Sequence, residues 1–251
     1  MYRFFVAEEN RREGMILITG DDVNHIRNVL RMTVGERVIV SCGKGVDYEC
    51  EIEKLGETDI QLTICRETPA VTELPVEITL FQALPKKDKM ELVIQKAIEL
   101  GVSHIVPVET RRCVVKLDTK KKEKKLSRWR AIAEAAAKQS GRGIVPQVHP
   151  VQSFSQALQM TKAMDMVLIP YELCEDMASS VTRMKNAAEK SSIGIFIGPE
   201  GGFERGEVEK AVAEGAEPIS LGKRILRTET AGLAVLSILM FLIEGKTDGG
   251  K

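Results

Sequence analysis

Over the first seventy positions, apolar residues come in short, alternating, β-branched pieces at 4–6, 15–18, 37–41, 46–52 and 60–65, separated by turn signals such as Cys42-Gly43-Lys44-Gly45. This rhythm predicts a small β-barrel. One helix interrupts it: Asp21 can cap its start, Val23, Ile26, Leu30 and Val34 fall near helical spacing, and Gly35 stops it. Residues 67–75 then contain two prolines and no periodicity, which places a linker there and a domain boundary near residue 72.

Beyond the linker, apolar runs alternate with helical patterns. Strands are expected at 76–82, 104–108, 166–170, 191–197 and 217–220, and helices at 86–100, 120–139, 177–190, 206–214 and 230–244. Such alternation predicts an α/β domain over residues 73–251, with a parallel sheet covered on both faces. In open sheets of this kind a ligand sits in the crevice beyond the carboxyl ends of the strands, so the chemistry is expected in the loops that follow them.

Composition narrows the class. A chain of 251 residues with 43% hydrophobic and 29% charged residues is globular rather than disordered. The longest apolar run, 231–243, is shorter than the roughly 20 residues a bilayer requires, so no membrane span is expected. The N-terminus turns charged within eight residues and lacks the apolar core of a secretory signal. Five cysteines, odd in number and with no C-x-x-C, fit neither a disulfide framework nor a zinc site, and point to a reduced, cytoplasmic setting. His25, His104 and His149 are scattered, and no metal is expected. Net charge is zero, yet residues 116–142 carry ten basic residues against three acidic ones, while residues 1–70 carry nine against thirteen. A local basic segment can meet a polyanion or can be a solvated helix face.

Three segments combine residue types suited to chemistry. Ile195-Phe-Ile-Gly-Pro-Glu-Gly-Gly-Phe203 is a strand running into a glycine-rich loop, which serves either as a tight turn or as a cradle where a ligand meets backbone N–H groups. It matches neither the P-loop nor the dinucleotide fingerprint. Ser220-Leu-Gly-Lys-Arg-Ile-Leu-Arg-Thr-Glu-Thr-Ala231 places Arg224 and Arg227 ahead of a helix N-terminus, where cations are disfavoured unless an anion compensates them. Glu134-Ala-Ala-Ala-Lys-Gln-Ser-Gly-Arg142 closes the basic helix and gathers Gln139, Ser140 and Arg142 at its exit.

Together these three segments, with Arg3-Phe4-Phe5, His25-Ile-Arg-Asn-Val-Leu-Arg31, Gly35 and the Gly43-x-Gly45 turn, resemble the bacterial family that methylates N3 of a uridine in 16S ribosomal RNA, within the SPOUT class of trefoil-knotted methyltransferases. The resemblance covers almost the whole chain. It implies a PUA-like β-barrel over residues 1–72, a SPOUT α/β domain with a deep C-terminal knot over 73–251, and a homodimer built through the knot domain. It also implies S-adenosylmethionine as cofactor, with S-adenosylhomocysteine as product and no metal, and 16S rRNA or the small ribosomal subunit as partner. The cofactor loops map onto Ile169, Pro170, Tyr171 and Glu172, onto Ile197, Gly198, Pro199, Glu200, Gly201 and Gly202, and onto Ser220, Leu221, Gly222, Ile225, Leu226 and Thr228.

The uridine N3 must lose a proton to become nucleophilic, which calls for a carboxylate base and a cation near the flanking carbonyls. Arg142 and Arg227 are the expected cations, and Glu229 and Glu134 the expected carboxylates. RNA contacts fall to Arg3, Arg27 and Arg31 of the barrel, to Lys120, Lys121, Lys122, Lys124, Lys125 and Gln139 of the basic helix, and to Arg224. Two alternatives remain at this level: a knotted methyltransferase acting on another RNA or on a ribose 2'-hydroxyl, and a non-catalytic RNA-binding ribosome-assembly factor.

Overall fold

The computed structural model describes residues 1–174 and 176–247, which form two compact units: Met1–Glu73 with Ala137–Val145, and Leu74–Ala136 with Pro146 onward. The first unit therefore includes a segment, 137–145, that the sequence rhythm assigns to the second.

In the first unit, β1 (Tyr2–Phe5), β2 (Arg11–Arg12), β3 (Met15–Thr19), β4 (Arg37–Ser41), β5 (Val46–Leu55) and β6 (Asp59–Pro69) form one sheet in the order β1-β4-β5-β6-β3-β2. Only β1 and β4 pair in parallel. The sheet curls into a half-barrel with β1 and β2 as its edges, so the expected barrel is open. Alternate residues of its strands, among them Phe4, Ile16, Ile18, Val38, Val40, Ile52, Ile60 and Leu62, bury one face around Val23 and Ile26. The helix that carries these two is shorter than the spacing suggests. Its α-helical part, α1, spans only Asp21–Asn24 and widens to π-helical bonding over His25–Val29, and it starts after Gly20 with no side-chain cap from Asp21. It ends at Arg31, whose left-handed φ of 53° lets the Met32 N–H return to the Ile26 carbonyl at 3.0 Å. Strand β6 continues through Pro69, opposite Val46, which shortens the linker. The chain beyond is pinned to the returning segment: Thr72 donates to the Gly141 carbonyl and Ser41 to that of Gly143.

In the second unit, β7 (Glu77–Ala83), β8 (His104–Glu109), β9 (Gln147–Val148), β10 (Gln152–Ser153), β11 (Met166–Pro170), β12 (Ser192–Ile197) and β13 (Glu217–Ile219) form an all-parallel sheet ordered β10-β8-β7-β12-β11-β13, with β9 also on β8. The helices are α2 (Lys89–Glu99), α3 (Thr119–Ser140), α4 (Phe154–Met160), α5 (Met177–Ala187), α6 (Arg205–Ala213) and α7 (Thr228–Thr247). One face of the sheet packs Phe81, Val106, Ile169 and Phe196 against Phe154, Leu158, Val208 and Ala211 of α4 and α6. Helix α7 packs against α2, α5 and β12. Helix α2 begins at Lys89 rather than near 86, because Lys87 takes a left-handed φ of 57° that no helix continues through. Helix α4 was not anticipated, although Ser153-x-x-Gln156 forms a complete capping box at its start.

The 13-residue apolar run lies inside α7, which by length and composition alone would suffice to cross a bilayer. Val235, Leu236, Leu239 and Ile243 are buried within the unit, as in a core helix. Ile238 and Phe241 are exposed at 44% and 76%.

Candidate functional site

The carboxyl ends of β11, β12 and β13 open into a cleft of about 830 Å³, within the size range of sites for small organic ligands. Three segments line it: Pro170–Glu172 with Cys174 and Met177, Ile197–Glu200 with Gly202 and Phe203, and Ser220–Thr228 with Ala231. Lys89, at the start of α2, completes the wall.

Each segment is held by polar contacts that its sequence provides. Buried Gln82, at the end of β7, donates to Thr228 Oγ1 at 2.9 Å, and Thr228 donates to the Gly198 carbonyl at 2.6 Å, which ties β7, the β12 loop and the start of α7 together. Ser180 of α5 accepts from the Ser220 N–H at 2.9 Å, and Arg183 pairs with Glu217 and donates to the Pro218 carbonyl, so α5 braces the β13 loop. Gly202 adopts φ +67°, and a Cβ there would lie 3.1 Å from a Glu172 carboxylate oxygen, so a bare backbone is needed at that turn. Among the described residues, the backbone N–H groups of Leu221 and Leu226, two residues that line the cleft, make no hydrogen bond. Free backbone donors beside the apolar side chains of Ile197, Leu221, Leu226 and Met177 suit a ligand that combines an aromatic ring with polar edges.

The electrostatics centre on Lys89, which the sequence pattern did not single out. Its Nζ lies 3.1 Å from Glu229 Oε2 and 3.6 Å from Glu200 Oε1, and Glu200 also accepts from the Lys86 N–H at 3.0 Å. Burial alone would raise the Glu229 carboxyl, but its own backbone N–H, Lys89 and Arg227 together hold it below the usual carboxylate value. Burial acts the same way on Glu200, where the N–H groups of Lys86 and Glu200 and the Lys89 charge bring the carboxyl below its usual value. On the open side, Lys223, Arg224 and Arg227 line the cleft, and among the described residues none lies within ion-pair distance of a carboxylate.

The expected residues divide into distinct groups. All of the expected cofactor positions line the cleft except Ile169 and Gly201. Ile169 is fully buried in the sheet core, clustered with Phe196 and Phe203, and Gly201 faces outward, where its carbonyl accepts from Arg112 at 2.8 Å. Arg227 and Arg224 line the cleft, while Glu229 sits beside it, engaged by Lys89. Arg142 lies in the first unit, 3% exposed, with its guanidinium on both Glu73 oxygens at 2.5–3.0 Å; Glu73 also accepts from the Gly143 N–H. Glu134 is half-buried on α3 and does not line the cleft.

Of the expected RNA contacts, Arg3 is directed inward, bidentate on Asp47 at 2.5 and 2.8 Å and only 9% exposed. Arg27 donates to the Gly56 carbonyl, and Arg31 is exposed. In the basic helix, Lys122 pairs with Glu109 at 2.9 Å, Lys121 pairs with Asp118, and Lys125 lies over the Trp129 ring. Lys120, Lys124 and Gln139 are exposed. Among the described residues, no group of His, Cys, Asp or Glu is arranged to hold a metal ion.

Comparison with known proteins adds to this geometry. Residues 72–240 match the RNA methyltransferase domain family, and residues 18–65 match the RNA methyltransferase PUA domain. The chain is 36% identical to the ribosomal RNA small subunit methyltransferase E of Bacillus subtilis, over 97% of this chain and 98% of that protein. To the protein of the same name from Synechocystis sp. it is 32% identical, over 97% of this chain and 78% of the relative. A crystal structure of ribosomal RNA small subunit methyltransferase E from Neisseria gonorrhoeae bound to S-adenosyl methionine matches with a TM-score of 0.85 at 33% identity, over 96% of this chain and 98% of that one.

Proposed function

Because the chain belongs to the RNA methyltransferase family and carries that family's PUA domain, we propose that it transfers a methyl group from S-adenosylmethionine to N3 of a uridine in 16S rRNA, in the cytoplasm. The observation that carries this reading is the three-segment cleft with free backbone donors inside and unpaired cations at its rim. When bound, the cofactor supplies a methyl on a sulfonium centre and leaves as the thioether S-adenosylhomocysteine. In this reading the stretch that carries β13 and α7 is threaded as the trefoil knot that the resemblance implies.

The residues of this chain act on the uracil. N3 lies between two carbonyls, and loss of its proton spreads negative charge over both oxygens. Arg227 and Arg224 stand where they can hold that charge, which lowers the barrier as the proton leaves and N3 attacks the methyl carbon. Glu229 and Glu200, held by Lys89 and, for Glu200, by the Lys86 N–H, organise the wall of the cleft, and the N3 proton leaves to solvent. Arg142, locked by Glu73, supports the fold of the first unit.

A second copy of the chain covers the exposed apolar positions Met177 and Val181 of α5 and Ile238 and Phe241 of α7. Light scattering of the wild type is expected to give a dimer mass, and of Phe241→Glu a monomer mass.

The deciding experiment is mass spectrometry of digested 16S rRNA from a strain lacking the gene, before and after incubation with the purified protein. Restoration of one N3-methyluridine is expected. A methylated ribose, or methylation of another RNA, would replace the proposed substrate, and absence of any transfer would leave an RNA-binding assembly factor. Arg227→Ala is expected to slow single-turnover transfer by roughly 10² to 10³ with cofactor binding retained.

A further inference from the structure

We propose that Lys86, Lys87 and Arg112, exposed at the carboxyl ends of β7 and β8, form a seat for RNA backbone phosphates on the outer side of the glycine-rich loop, distinct from the lysine run of α3. The proposal rests on the reading of the chain as an RNA methyltransferase and specifies where its substrate lies.

Topology brings these cations together. Strands β7 and β8 are neighbours, with Ala83 opposite Val108 and the Leu84 N–H on the Val108 carbonyl at 2.9 Å, so the loops that follow them emerge side by side. Both loops then close on consecutive residues of the same turn: the Lys86 N–H donates to the Glu200 carboxylate at 3.0 Å, and the Arg112 guanidinium donates to the Gly201 carbonyl at 2.8 Å. The side chain of Arg112 lies along Gly201, 3.7 Å from where a Cβ would stand.

Charge distinguishes this place from the other basic positions nearby. Lys89, Arg111 and Lys122 each have a carboxylate partner, on Glu229 and Glu200, on Glu204 and on Glu109. Among the described residues, no carboxylate lies within ion-pair distance of Lys86, Lys87 or Arg112, and all three are exposed. Arg112 uses one guanidinium N–H on Gly201, which leaves four for a phosphate. Lys87 holds a left-handed backbone at φ 57°, a conformation that glycine adopts without strain, so the lysine carries a local backbone penalty. Cations without a carboxylate partner, with the Arg112 guanidinium anchored on Gly201, suit phosphodiester oxygens. A phosphate on Arg112 would also rigidify the carbonyl side of the loop that lines the cofactor cleft, so RNA and cofactor should each tighten the other.

The test uses the full chain and a transcribed fragment of 16S rRNA, with binding followed by fluorescence anisotropy from about 50 to about 300 mM KCl. Replacing Lys86, Lys87 and Arg112 together by Gln is expected to weaken RNA binding about tenfold or more and to reduce the log–log salt slope by about 2, at about 0.7 for each phosphate no longer neutralised. Lys86→Arg with Lys87→Arg should keep the wild-type slope, which separates charge from folding. The double variant Lys86→Gln, Lys87→Gln should bind S-adenosylmethionine within about twofold of wild type in the absence of RNA. Wild-type affinity and slope in the triple variant, with the wild-type protein methylating the fragment, would overturn the seat and leave the function standing. A wild-type protein that neither binds nor methylates the fragment or small ribosomal subunits from the deletion strain would overturn both.

Discussion

Replacing Lys89 by Met removes the one positive charge that stands between Glu200 and Glu229 while keeping the aliphatic stem of the side chain. At 3.1 and 3.6 Å, with an effective dielectric of about 20, each pair carries a gross attraction of about 5 kcal/mol. Desolvation and side-chain ordering cancel most of it: exposed pairs net about 0–1 kcal/mol, and breaking a fully buried pair costs about 3–5 kcal/mol. Lys89, Glu229 and Glu200 are 25%, 16% and 27% exposed, between those limits, which puts the expected loss near 2 kcal/mol. Two carboxylates left facing each other would also loosen the β12 loop and the start of α7, so cofactor affinity is expected to fall about tenfold.

Urea denaturation gives the stability change, and calorimetric titration with S-adenosylmethionine gives the affinity. A double-mutant cycle with Glu229→Gln isolates the pair and should return a coupling of about 1–2 kcal/mol. The pH dependence has a fixed sign. Both carboxyls have folded-state pKa values below the ordinary 4.5, so their contribution is complete above that pH and fades as pH falls through the folded values. The gap between wild type and Lys89→Met should accordingly be full at neutral pH and shrink below about pH 4.5. Additivity of the two substitutions within about 0.3 kcal/mol would refute the clamp.

Other consequences can be measured independently. Gly202→Ala, at φ +67° with a Glu172 oxygen 3.1 Å from the new methyl, should weaken cofactor binding about tenfold in the same titration. Burial, helped by the charges of His104 and Arg130, holds His149 below 6.5; its stabilisation is complete above that value and declines as pH drops below it, so a Tm profile should fall as pH drops below about 6.5, and fall less in His149→Gln. Arg31→Gly relieves a left-handed non-glycine backbone and should raise the urea midpoint by an amount equivalent to about 1 kcal/mol.

The parallel sheet was legible because buried strands such as 193–197 read as continuous apolar runs, and helices were legible wherever apolar spacing persisted for three turns. The short pieces were not. Strands β9 and β10 have two residues each, too few for any period to register, and α4 has seven residues whose only strong signal is the Ser153 and Gln156 box. Local backbone strain was equally invisible: nothing in the composition around Lys87 or Arg31 announces a positive φ, yet these two residues decide where α2 starts and where the first helix ends.

The site divides along the same line. Backbone-built features follow from sequence, since glycines and strand ends mark where a chain can approach a ligand closely, and the three segments that line the cleft were readable for that reason. Side-chain roles depend on which distant charge arrives, and sequence distance hides this. Arg142 and Glu73 are 69 positions apart, as are Lys89 and Glu229 at 140 and Arg3 and Asp47 at 44. Neighbours in the chain do not reveal neighbours in space: Arg3 meets Asp47 and Arg142 meets Glu73. Among the described residues, Lys223, Arg224 and Arg227 at the cleft and Lys86, Lys87 and Arg112 outside the glycine-rich loop have no carboxylate within ion-pair distance, and these are the cations we propose meet a polyanion.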